Sequence, residues 1–159
     1  MGIEERRNLF NSSLERAANL LGDITPRVLE LYFSRCPDAL DAFEHHRPGS
    51  AARLQSEMVS QTLYCLMEWL ENPLVVEILL MGTIPHHLTT LHVSPQHFLE
   101  LIRATSHTIM ATIPATANDE RAVWEELQHD LEALFAEGAQ GLRLETVTLA
   151  MPAGVPGPS

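Results

Sequence analysis

The chain reads as an all-α domain of seven to eight helices, and three observations predict this. Apolar residues recur at helical spacing in successive segments, no segment alternates apolar and polar over the length of a strand, and prolines punctuate the gaps between the stripes. In the first segment Phe10, Leu14, Ala17, Ala18 and Leu21 share one face, which predicts a helix over about 3–22. Thr25-Pro26 opens a second helix to residue 35, with threonine as the cap and proline at the first helical position, where the missing N–H costs nothing. Cys36-Pro37 and Arg47-Pro48 mark two further breaks and bracket a short helix over 37–43. A long segment follows over 50–71, and Asn72-Pro73 opens the next over 73–82. Pro85 predicts a break there, followed by a short turn over about 84–91. Ser94-Pro95 opens a helix over 95–113 with Phe98, Leu101, Ile102, Thr105 and Ile109 on one face. Asn118 caps the last helix, 118–140, whose stripe is Trp124, Leu127, Leu131, Leu134 and Phe135. Asp119 and Glu120 in its first turn suit the helix dipole. Residues 144–159, rich in Pro, Gly and Ala, read as a flexible tail behind a domain spanning 1–143.

Composition narrows the function. The 159 residues are 45% apolar, enough to bury one core, and carry a net charge of −11. That charge repels phosphate backbones and anionic membranes, so neither nucleic acid nor membrane is an expected partner. No apolar run has the length of a bilayer span, and the N-terminus MGIEERRNLF lacks a signal core, so a cytoplasmic location is expected. Cys36 and Cys65 form no CxxC motif and read as reduced thiols.

Helical stripes do not distinguish a bundle from other helical folds. More specific is a set of residues at fixed intervals. Pro37-Asp38-Ala39-Leu40-Asp41-Ala42-Phe43 puts a proline, a tight helix and a phenylalanine in sequence. The segment QSEMVSQTLYCLMEWLEN begins with Gln55 and carries Val59 one turn later, on the same helix face. His87 follows Gln55 by 32 residues, and LHVSPQHF leads from there into the next helix.

From about residue 8 to 137 this pattern resembles the bacterial single-domain globins and the globin domain of flavohemoglobins. The resemblance implies a globin fold around a heme pocket, with heme b as cofactor. It implies that His87 is the proximal iron ligand, that Phe43 stacks on the porphyrin and that Gln55 faces the bound ligand. Leu29, Val59 and Val93 would shape and dry the pocket, and Trp124 matches the tryptophan early in the family's last helix. Two positions depart from the family. Leu29 stands where a tyrosine usually meets the ligand, and Phe98 replaces the tyrosine that polarises the proximal histidine. The segment Pro85-His86-His87 also admits other ligands, His86 or His92, and a second register in which Leu88 takes the ligand position and the domain is heme-free.

The function implied is reversible binding of a diatomic gas (oxygen, nitric oxide or carbon monoxide) at a five-coordinate iron. Two alternatives stand beside it. One is a nitric oxide dioxygenase, which in a chain this short needs an external reductase. The other is a globin-fold sensor or interaction module, with or without heme. A homodimer built on the long helices suits any of the three.

Overall fold

The computed structural model describes residues 1–46, 49, 51–89 and 94–150, and side chains within these except at 42–46, 87–89, 95, 139 and 141–150. Seven α-helices occur in the order α1 (Ile3–Leu21), α2 (Thr25–Arg35), α3 (Pro37–His46), α4 (Ala51–Glu71), α5 (Pro73–Thr89), α6 (Pro95–Met110) and α7 (Asn118–Ala150), with no strand among the described residues. No helix among these residues is long and apolar enough to cross a membrane.

Most helix starts lie where proline predicts them. Pro26, Pro37, Pro73 and Pro95 all fall in the first turn, where an N–H has no intrahelical partner. Ser94 caps α6, its hydroxyl accepting the Gln96 N–H at 3.2 Å. Thr25 does not cap α2 as its sequence suggests. The helix starts one residue earlier, and the Asp23 carboxylate two residues back accepts the Thr25 N–H at 2.9 Å. That bond holds the Asp23 carboxyl below its ordinary range. Gly22 ends α1 at φ 65°, a left-handed conformation that glycine adopts without penalty, while its N–H returns to the Ala18 carbonyl at 2.9 Å.

Two elements run further than expected. α5 stays helical through Pro85, which removes the N–H that would reach the Met81 carbonyl and crowds the preceding turn, at roughly 3 kcal/mol. Burial of Val76, Leu80 and Ile84 in the core outweighs that cost. α7 ends at Ala150 instead of near residue 140.

The core has two parts. The larger gathers Phe10 of α1, Leu66 of α4, Val76 and Leu80 of α5, Ile109 of α6, and Trp124, Leu127, Leu131 and Phe135 of α7. The smaller joins Val28 and Tyr32 of α2, Cys36 beside them, Ala39 of α3, Val59 of α4, and Leu101 and Ala104 of α6. α4 and α6 serve both. Ion pairs clasp the seams from outside, Arg16 to Glu120 between α1 and α7 and Arg103 to Glu132 between α6 and α7, and a hydrogen-bond contact of 3.1 Å joins His97 of α6 to Asp38 of α3.

Gly138 lies inside α7, where glycine loses more conformational freedom than alanine. A Cβ there would meet only the flexible end of Met81, with Cε at 3.3 Å, and ordinary contact with Ile84. Gly138→Ala is expected to stabilise the fold by about 0.5–1 kcal/mol, read as a higher urea midpoint at unchanged slope.

Candidate functional site: an apolar cavity between α4 and α5

A cavity of about 350 Å³ opens between α4 and α5 and is floored by α6 and α7. Leu54, Glu57, Met58, Gln61, Thr62 and Cys65 come from α4, and Leu79, Leu80 and Thr83 from α5. Phe98, Leu101 and Ile102 of α6 meet Leu131 and Phe135 of α7 beneath, with the Phe98 and Phe135 rings 5.6 Å apart. Each helix contributes residues three or four apart, because only one face of a helix can line a hollow. Glu57 and Gln61 are exposed and mark the solvent side.

The polar groups of the inner lining are turned to their own helices. The Thr62 hydroxyl donates to the Met58 carbonyl at 2.9 Å, and the Thr83 hydroxyl donates to the Leu79 carbonyl at 2.7 Å. Cys65 is buried, and burial pushes its thiol up, which keeps it neutral. Among the described residues no group of three or more His, Cys, Asp or Glu is placed to hold a metal ion.

The residues singled out from sequence divide three ways. Phe98 lines the cavity. Val59 is fully buried in the smaller core beside Val28, Tyr32 and Leu101, and Leu29 packs against the same cluster. Gln55 is half-buried on α4 and is not among the described lining residues. The side chains of Phe43 and His87 lie outside the described residues, as do that of Leu88 and the whole of His92 and Val93. The α5 backbone does run through positions 86 to 88, and His86 is exposed. Positions 86 and 87 stand three and four residues beyond Thr83 and so continue its row, whereas position 88 lies about 100° further round the helix.

Sequence reasoning missed the α4 face that lines the cavity. Leu54, Met58, Thr62 and Cys65 form a row one residue out of step with Gln55 and Val59. Val59 sits inside the smaller core, while Leu54 and Met58 pack against that core and line the cavity as well. Periodicity reports the two faces without saying which borders the hollow.

A polar network also escaped the sequence. Arg103 of α6 forms a two-pronged bond to Glu132 of α7, at 2.6 and 3.0 Å, and reaches Glu100 at 2.7 Å. Arg35 of α2 lies 3.8 Å from Glu100 and 3.1 Å from the His107 Nδ1. The guanidinium of Arg103 holds the Glu132 carboxyl below its ordinary range. His107 is depressed, first by burial and then by Arg35, with Arg103 adding to the effect and Glu100 and Glu132 opposing it. A histidine lowered on folding contributes stability that is complete above its unfolded value, 6.5, and declines as pH falls below it. His107→Gln is therefore expected to flatten the loss of stability as pH falls below about 6.5, measured as urea midpoints of parent and variant.

No family model, curated protein or solved structure matches the chain.

Proposed function

We propose that the chain is a globin-type heme protein that binds a diatomic gas, with the heme held in the cavity between α4 and α5. The observation that carries this reading is the character of the cavity. Its walls are Leu54, Met58, Leu79, Leu80, Leu101, Ile102, Leu131, Phe98 and Phe135, the Thr62 and Thr83 hydroxyls donate to their own helices, and Glu57 and Gln61 stand on the solvent side. A flat, apolar ring with a polar edge fits that division. The order of the helices and the 32-residue interval between Gln55 and His87 support the same reading.

When bound, the heme supplies an iron that takes the gas as a ligand. Every other task falls to the chain. His87, one turn beyond the lining residue Thr83 on α5, is the residue proposed to hold the iron. Phe98 and Phe135 form a rigid aromatic floor, and Leu54 and Met58 form the facing wall and exclude water.

Titration of heme into the purified protein tests the reading. A Soret band that saturates at about one heme per chain is expected, from a burial-driven fit of ring to pocket. A folded, helical protein that develops no such band contradicts it.

A further inference from the structure

The outer face of α5 is apolar and exposed. Between Pro73 and Thr89 the sequence holds one carboxylate, Glu77, and no lysine or arginine. A helix this apolar on every side is normally buried over most of its surface. Here Val76, Leu80 and Ile84 enter the core, whereas Leu74, Val75, Ile78 and Met81 are 65%, 43%, 66% and 38% exposed. Leu74, Ile78 and Met81 stand four and then three residues apart, the interval of a seam that packs against another helix. Gly82, one turn beyond Ile78, leaves a hollow beside this stripe, where an added Cβ would meet no atom within 4 Å. A knob and a hollow thus adjoin on one helix face.

We propose that this stripe is the contact between two copies of the chain, with α5 packed antiparallel on α5 across a two-fold axis. Three features select a second copy as the occupant. An axis that crosses α5 at the level of residue 80 sets Ile78 of each copy over Gly82 of the other, so one helix supplies both halves of the fit. The chain carries a net charge of −11, so like copies repel, and on α5 they meet with only Glu77 at the rim, about 100° round the helix from Ile78. The four exposed side chains present on the order of 400 Å² per copy, half of the ~800 Å² that each partner covers in a standard stable interface. That area suits a dimer in equilibrium with its monomer, and the contact stands apart from the cavity and from heme binding.

Sedimentation velocity of the full chain over a series of concentrations tests the contact. The parent is expected to show a monomer–dimer equilibrium with a dissociation constant in the micromolar range, tightening as added salt screens the charge. Ile78→Glu, at an exposed position, is expected to keep its helical circular dichroism and to raise that constant at least about a hundredfold, because the altered side chain counts twice across a two-fold axis. Gly82→Leu is the independent second variant. It fills the hollow without crowding its own chain and removes a helix-interior glycine, so the monomer is expected to be at least as stable as the parent while the dimer weakens at least about tenfold. A parent that stays monomeric at about millimolar concentration would overturn the proposal and leave the stripe to a different occupant. A dimer that survives Ile78→Glu, or that tolerates Gly82→Leu, would overturn it by placing the contact elsewhere. Each of these outcomes leaves the heme reading untouched.

Discussion

Trp124→Ala is expected to cost about 3–5 kcal/mol, the largest stability loss of any single substitution considered. Trp124 is fully buried in the larger core, and its ring stacks on Phe10 with centroids 4.6 Å apart. Its indole N–H donates to the Ser13 hydroxyl at 2.6 Å, and that hydroxyl donates in turn to the Phe10 carbonyl at 2.6 Å. One side chain thus joins the α1 and α7 faces by packing and by a buried polar chain. Against a total stability of roughly 5–15 kcal/mol for a domain of this kind, the loss removes a large fraction. Trp124→Phe separates the two contributions. It keeps an aromatic partner for Phe10 and removes the donor, while Ser13 retains its bond to the Phe10 carbonyl and is not left orphaned. Its cost is expected to be distinctly smaller, about 1–2 kcal/mol. Urea unfolding followed by circular dichroism measures both. A cost below about 1 kcal/mol for Trp124→Ala, outside the range for emptying a buried aromatic site, would mean that the α1–α7 seam does not depend on this residue.

The fold was legible where a residue's local chemistry and its tertiary role agree. Pro26, Pro37, Pro73 and Pro95 each announce a helix start, because a missing N–H is harmless only in the first turn. Pro85 has the same local chemistry and the opposite outcome, since the burial of Val76, Leu80 and Ile84 in the turns before it outweighs the local cost. The cap of α2 was misplaced for a similar reason. Thr25 and Asp23 can both cap, and the carboxylate takes the bond. The composition of the chain after residue 143 suggests a tail, yet α7 continues to Ala150.

The candidate site was legible only in part. Phe98 lines the cavity as a residue of an apolar stripe should, and the two helices that border the hollow, α4 and α5, carry the sequence markers. The α4 register was not legible. A helix packed on two sides shows two apolar rows, and Val59 belongs to the row that fills the smaller core. The Arg35–Glu100–Arg103–Glu132 network was invisible because it joins residues of three helices, and no local spacing encodes such a contact.

The second large effect concerns the proposed iron ligand and tests the central claim most directly. His87→Gly removes the imidazole from position 87 and leaves room for a free imidazole to enter in its place. A neutral imidazole is the usual proximal ligand of a globin iron. The measurement is the absorbance spectrum of the ferrous heme-loaded protein, for the parent and for His87→Gly, without and with added imidazole. The predicted result is a Soret band in the parent, lost or strongly shifted in the variant and restored by imidazole. Identical spectra for parent and variant would contradict the assignment of His87, and a folded parent without a Soret band would contradict the heme site itself.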